Sequence, residues 1–140
     1  MNRSMDSLLC LAGVLLFLLG LLTGFAIPAV RTPRIGLSAH LTGVQSGTFL
    51  IAMGLLWPHL DLGGWSDMVG YALWLSLYAL WLSLVLAAIF GAGYGLPIAG
   101  QGITTTRGRQ AVVSILLIGG SIVSAVAVAA IILTWSFAAP

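Results

Sequence analysis

The sequence contains no lysine and no glutamate, and its charges are five arginines and three aspartates among 140 residues. Charged residues make up 6% of the chain, whereas soluble proteins carry about 25%. Hydrophobic residues make up 60%, and the mean hydropathy is +1.14. Because so few charges cannot cover a surface in water, the composition excludes a soluble enzyme, a nucleic-acid-binding protein and a disordered protein.

The scarcity of cysteine and the lack of charged groups within the apolar runs argue against further classes of protein. The chain has a single cysteine, Cys10, which excludes an internal disulfide framework and every cysteine-rich metal site. No carboxylate and no lysine interrupts the long apolar runs, although a proton-coupled pump or small multidrug transporter normally needs a carboxylate within the membrane. This absence argues against a transporter of that kind.

Long apolar runs are what the sequence has in abundance. A helix needs about 20 apolar residues to cross the hydrocarbon core of a bilayer, and four runs of this length occur, over residues 7–30, 36–57, 68–92 and 111–137. The predicted fold is therefore all-α: a single integral membrane domain over residues 1–140, built as a four-helix bundle in the lipid bilayer. The net charge of +2 then reflects membrane topology, not a surface that binds an acidic partner.

The arginines predict how the spans are oriented. The segments after the first and third spans contain Arg31, Arg34, Arg107 and Arg109, whereas the opposite side has Arg3. Since arginine is enriched in cytoplasmic loops, these two segments are expected in the cytoplasm and both termini outside.

His40 is an ionisable residue within the second span, and such a residue is a candidate functional site by default. At about 100 degrees per residue, four glycines lie within about 60 degrees of it around the helix, namely Gly36, Gly43, Gly47 and Gly54. A nitrogen ligand beside a groove without side chains suits haem. Two alternatives remain open: His40 can be hydrogen-bonded to a neighbouring helix, and Gly43-x-x-x-Gly47 is typical of close helix packing.

The third span repeats the heptapeptide YALWLSL, over residues 71–77 and 78–84. A seven-residue repeat keeps one helix face toward a partner, and this one carries Tyr71, Trp74, Tyr78 and Trp81. Such a face is usually packing. The functional alternative is a wall against an aromatic substrate or porphyrin, with the hydroxyl of Tyr78 as one of its few polar groups.

The run RTPRIGLSAHLTGVQSG (residues 31–47), the aromatic third span and the glycine-rich segment 91–100 resemble the hydroxylaminobenzene mutases. These are four-span membrane enzymes that convert hydroxylaminobenzene to 2-aminophenol without net redox change. The chain is also distantly similar to styrene oxide isomerase, a four-span trimer in which a histidine near the start of the second span holds haem b. The matching residue is His40.

The resemblance implies a homotrimer in a bacterial cytoplasmic membrane, acting on a small hydrophobic aromatic substrate, with His40 as the ligand of ferric haem iron. Ser46 stands where styrene oxide isomerase has an asparagine that contacts substrate, and Leu84 falls near that enzyme's active-site tyrosine. Ser46 and Tyr78 are expected to orient the hydroxylamine, with Trp81 against the substrate ring or the porphyrin. The remaining expected haem contacts are Gly43 and Gly47 against the macrocycle and Arg34 against a propionate.

Three other functions remain as alternatives. An epoxide isomerase would use the same iron chemistry. A glutathione-using membrane transferase would need acidic groups beside the arginines at the cytoplasmic helix ends, where this chain has none. A non-enzymatic channel or small transporter would not depend on His40.

Overall fold

A computed structural model describes residues 4–93, 96, 100 and 103–137 of the protein, with side chains as far as residue 134. This part of the chain contains four α-helices and no strand: α1 (Met5–Ala26), α2 (Pro33–Leu56), α3 (Ser66–Phe90) and α4 (Arg107–Phe137). Each helix coincides with one predicted span and is long and apolar enough to cross a membrane. The prediction of an all-α fold with four spans is confirmed.

The helices begin earlier than the apolar runs do. α2 starts at Pro33 and α4 at Arg107, so Arg34, Arg107 and Arg109 lie in first helical turns and not in loops as predicted. Proline is well suited to the first helical position because its missing N–H would be unpaired there anyway. Arginine can extend along a helix and keep its guanidinium in the aqueous interface.

Glycines bring α1 and α2 into backbone contact. A Cβ added at Gly20 would lie 2.5 Å from the backbone nitrogen of Val44, and one added at Gly47 would lie 2.5 Å from that of Phe17. Larger residues at these positions would force the helices apart. The packing role that the Gly43-x-x-x-Gly47 pattern allowed is therefore the one observed.

The bundle is less symmetrical than four spans suggest. α3 packs against α2 and, more lightly, against α1. Among the described helices, α4 packs against α3 alone. The protein is therefore a three-helix core with a fourth helix along its edge, and most side chains of α4 face outward.

The helix ends on the arginine side are joined by polar contacts. α3 ends at Phe90, where Gly91 adopts a left-handed conformation with φ of 70°. The carbonyl of Ala88 accepts hydrogen bonds from both the backbone N–H and the hydroxyl of Thr32, each at 3.1 Å. Arg31 donates from Nη1 to the carbonyl of Phe90 at 3.2 Å. These bonds fix the start of α2 against the end of α3.

Candidate functional site

His40 lies on α2, about 10 Å along the helix axis from Pro33, with its ring against α1. Nδ1 is 2.8 Å from the carbonyl oxygen of Gly20. Because a carbonyl only accepts hydrogen bonds, Nδ1 carries the proton and donates it. When the ring is neutral, this tautomer leaves the lone pair on Nε2. The hydrogen bond to a neighbouring helix, one alternative from the sequence, is present.

Gly24 makes the room for this ring. A Cβ added at Gly24 would lie 2.8 Å from Nδ1 of His40. Gly20 and Gly24 together thus form the surface on α1 that receives the imidazole. Sequence reasoning missed both glycines, although the spacing Gly20-x-x-x-Gly24 within a leucine-rich span was a usable signal.

Nε2 of His40 has no hydrogen-bond partner among the described residues, and the side chain is half-buried. Histidines that ligate metals almost always donate their second N–H to a carbonyl or carboxylate, which fixes the tautomer and ring orientation. The hydrogen bond to Gly20 gives His40 this arrangement. The ring is therefore suited to ligate a metal through Nε2.

The groove that the glycine stripe of α2 suggested is filled within the protein. α1 occupies the space over Gly47, and both α1 and the indole of Trp81 occupy the space over Gly43, where an added Cβ would lie 2.8 Å from Trp81 Cδ1. A flat macrocycle therefore has no room against these two glycines inside one copy of the chain.

The aromatic face of α3 ties that helix to α1. The hydroxyl of Tyr78 donates to the carbonyl of Ala12 at 2.7 Å, and Trp81 Nε1 donates to the hydroxyl of Thr23 at 3.3 Å. Trp74 meets Tyr78 edge to face, with ring centroids 6.1 Å apart. Packing is therefore a demonstrated role of this face.

The remaining predicted site residues lie apart from His40. Ser46 is buried but points about 120 degrees around α2 from His40, and its hydroxyl has no partner among the described residues. Tyr78 binds α1 at Ala12, about 12 Å along that helix from Gly20. Arg34 is exposed at the arginine end of α2. One copy of the chain does not bring these side chains into a single cluster.

An apolar cavity of about 450 Å³ lies elsewhere, between α3 and α4 toward the aspartate side. Its walls include Trp65, Met68, Ala72, Val126 and Ala130. It contains none of the predicted site residues, so the cavity and the histidine are separate features.

Comparison with known proteins gives two kinds of match. The chain is 44% identical over 119 residues to hydroxylaminobenzene mutase HabB of Ectopseudomonas oleovorans, which covers 79% of this chain and 68% of that protein. It is 42% identical over 131 residues to hydroxylaminobenzene mutase HabA of the same organism, covering 92% and 96% of the two chains. No solved structure matches it. The sequence model of the styrene oxide isomerase family matches residues 5–136. The chain therefore belongs to the styrene oxide isomerase family and is a multi-pass membrane enzyme of the isomerase class.

Proposed function

We propose that the protein rearranges a small N-aryl hydroxylamine, hydroxylaminobenzene or a close analogue, to the corresponding 2-aminophenol, with haem b held by His40. The relatives named as hydroxylaminobenzene mutases support the substrate class. The hydrogen bond from Nδ1 of His40 to Gly20, which leaves Nε2 available, is the observation that carries the cofactor assignment.

The donor set of the chain fits a porphyrin better than a bare metal ion. Among the described residues, no group of three or more His, Cys, Asp or Glu side chains could hold a metal ion. A metal ion bound by protein groups alone commonly needs three or four of them. A porphyrin brings four nitrogen donors of its own, so one imidazole completes the requirement.

Ferric haem, when bound, would supply a Lewis acid that polarises the N–O bond of the substrate. The reaction balances without any other reactant. The N–O bond breaks, a C–O bond forms at the ortho carbon, and the proton lost from that carbon is matched by the one gained at nitrogen. No electron enters or leaves, so the chain needs no reductase as partner.

The contribution of His40 is to hold the group in a fixed direction. The carbonyl of Gly20 accepts a hydrogen bond from Nδ1, which keeps the proton on that nitrogen. Gly24 has no side chain and therefore leaves space for the ring. Because α1 and Trp81 fill the space over Gly43 and Gly47, a porphyrin held by His40 would need room that one copy of the chain does not offer beside these glycines and that a neighbouring copy would help to form. This requirement supports an assembly of more than one copy, which we propose is a homotrimer. Arg34, exposed at the end of α2, is the proposed partner of a propionate.

Ser46 and Tyr78 remain the proposed polar contacts of the substrate, with different capacities. The hydroxyl of Ser46 is uncommitted among the described residues, so it can donate and accept. The proton of Tyr78 is committed to Ala12, so its oxygen can only accept. The indole of Trp81 packs over Gly43, and we propose that it supports the site through this contact.

The membrane setting contributes to selectivity. Aromatic hydroxylamines partition into lipid, and apolar walls keep water from capturing the positive charge that develops on the substrate ring. The arginine ends of the helices are proposed to face the cytoplasm of a bacterial cell, which places both termini outside.

The test is an absorption spectrum together with an activity assay of the detergent-purified protein. The wild type is expected to show a Soret band and to form 2-aminophenol from hydroxylaminobenzene. His40→Ala should lose both, whereas His59→Ala, an exposed histidine at the far end of α2, should lose neither. A colourless and fully active preparation would end the haem proposal while leaving the substrate proposal intact.

An epoxide isomerase is the second candidate, favoured by the description of the family that matches residues 5–136. Assaying styrene oxide beside hydroxylaminobenzene separates the two, because the preferred substrate should have the higher kcat/KM. Isotope-labelled water adds a second criterion: little label in 2-aminophenol indicates internal transfer of the hydroxyl, whereas extensive label indicates capture of the ring by water.

A further inference from the structure

Gln45 occupies an unusual place in the protein. It lies at the midpoint of α2, roughly 17 Å from either end of the helix, and its side chain faces outward. The amide has no hydrogen-bond partner among the described residues. An amide has two donors and an acceptor that lipid cannot satisfy, and at this depth the side chain is too short to reach water.

Two other outward-facing polar side chains in the spans, Thr48 and Ser121, are satisfied within their own helices. The hydroxyl of Thr48 donates to the carbonyl of Val44 at 2.9 Å, and that of Ser121 donates to the carbonyl of Leu117 at 2.7 Å. Such bonds let serine and threonine face lipid at little cost. Gln45 has no such bond, so it needs a group from outside this copy of the chain.

The face around Gln45 also differs from the other outward faces. α2 is the least apolar of the four spans. At about 100 degrees per residue, an arc of about 80 degrees on its outer side holds Arg34, Ser38, Gln45, Thr48 and Ala52, together with the exposed leucines Leu41 and Leu56. The outward positions of α1 and α4 instead carry mainly leucine, isoleucine and valine, as expected for contact with lipid.

We propose that this outer face of α2 is the contact between copies of the chain, with Gln45 of each copy bonded to Gln45 of a neighbour. An amide is both donor and acceptor, so identical residues complement each other around a symmetry axis. The small and polar residues extend over most of the helix, which matches another helix and exceeds the length of a small aromatic substrate. Interhelical glutamine bonds are a known means of association in lipid.

This contact deepens the proposed function, since it names which helix the covering copy approaches, but it does not depend on haem or activity. His40 lies about 140 degrees around α2 from Gln45, on the side of the helix that faces α1. Copies that meet along the outer face would bring a neighbouring copy against the helix that carries His40.

Disulfide cross-linking in intact membranes tests the proposal. The background is Cys10→Ser, which removes the one native thiol. Gln45→Cys is then compared with Leu15→Cys on α1 and Ile118→Cys on α4, which are exposed residues at about the same depth. Oxidation should shift the Gln45→Cys chain to a dimer band on a non-reducing gel, and the two controls should stay monomeric.

Cross-linking at a control position with none at Gln45→Cys overturns the proposal, and so does absence of dimer at all three positions. Equal dimer at all three would mean random collision and also overturns it. Repeating the Gln45→Cys experiment with His40→Ala added separates the two proposals, because the dimer should form whether or not haem is bound. Gln45→Leu should lower the apparent mass in detergent; an unchanged mass with a higher KM would instead assign Gln45 to the substrate.

Discussion

Gly43 of α2 and Gly119 of α4 have opposite surroundings in the same protein. A Cβ at Gly43 would lie 2.6 Å from the Cα of Gly20, whereas one at Gly119 would have nothing within 4 Å. Both residues are in helices that are long and apolar enough to cross a membrane. The difference follows from what each helix faces: α2 is pressed against α1, and α4 meets α3 along one side only.

This comparison teaches that glycine in a membrane helix marks a possible contact and not an actual one. Gly120, next to Gly119, does face α3, since an added Cβ would lie 3.0 Å from the carbonyl oxygen of Ser76. Adjacent residues of one type therefore have different roles. The α1–α2 pair is the rigid part that holds His40, and α4 is an edge helix that packs against α3 alone among the described helices.

Matched alanine substitutions should give the largest effect. Gly43→Ala forces backbone against backbone and is expected to cost about 3 kcal/mol, the upper part of the range for overpacked sites. Gly119→Ala should instead stabilise by about 0.5–1 kcal/mol, since alanine favours helix and meets no neighbour. Reversible unfolding in mixed detergent micelles, followed by circular dichroism, measures both. Equal effects at the two positions would break the comparison.

A second substitution tests whether the rigid pair positions the imidazole. Gly24→Ala places a methyl group 2.8 Å from Nδ1 of His40, so the ring must move and its bond to Gly20 must weaken. Because a displacement of about 1 Å can cost up to about 100-fold in rate, we expect at least a tenfold loss of kcat/KM. The Soret band should shift or weaken, while Gly108→Ala, at an open position, should match the wild type. A Gly24→Ala enzyme with full activity and an unchanged spectrum would assign the α1 contact to packing alone.

Much of this architecture was predictable from the sequence, and the reason is the membrane. Lipid requires about 20 apolar residues for each crossing, so the runs at 7–30, 36–57, 68–92 and 111–137 determine the helices with little help from tertiary contacts. The helix starts at Pro33 and Arg107 were missed because helices extend past the hydrocarbon region, where composition no longer limits them. The edge position of α4 was missed because its apolar pattern is the same whether lipid or protein covers it.

The candidate site was predictable only at its centre. An isolated histidine among apolar residues is conspicuous, and His40 was found for that reason. Its partners on α1 were not, because a backbone carbonyl leaves no mark in a sequence and Gly20 and Gly24 look like packing residues. Periodicity placed Gly43 and Gly47 on the side of His40 correctly, but it could not reveal that α1 fills the space over them.

A smaller effect is expected where α3 joins the rigid pair. Tyr78→Phe removes one hydrogen bond to the carbonyl of Ala12, which should cost about 1 kcal/mol of unfolding free energy. Since the tyrosine proton is already committed to that carbonyl, kcat is expected to change little. Ser46→Ala should have the opposite effect, because the hydroxyl of Ser46 has no hydrogen-bond partner among the described residues. Its unfolding free energy should stay unchanged and its KM should rise. A large fall in kcat for Tyr78→Phe at unchanged stability would reverse these two roles.

The smallest effect concerns the contact that α4 makes at the arginine end. The guanidinium of Arg109 lies 4.8 Å from the ring centroid of Phe90, at the last residue of α3. Exposed cation–π contacts are worth about 0.5–1 kcal/mol, so Arg109→Gln should lower the unfolding free energy by about 0.5 kcal/mol. Arg107, two residues earlier, is also exposed, so Arg107→Gln removes the same charge without a ring contact and should change nothing measurable. If Arg109→Gln costs as much as Gly43→Ala, α4 is held far more firmly than its one-sided packing indicates. The contrast between a rigid helix pair and a loosely attached edge helix would then fail.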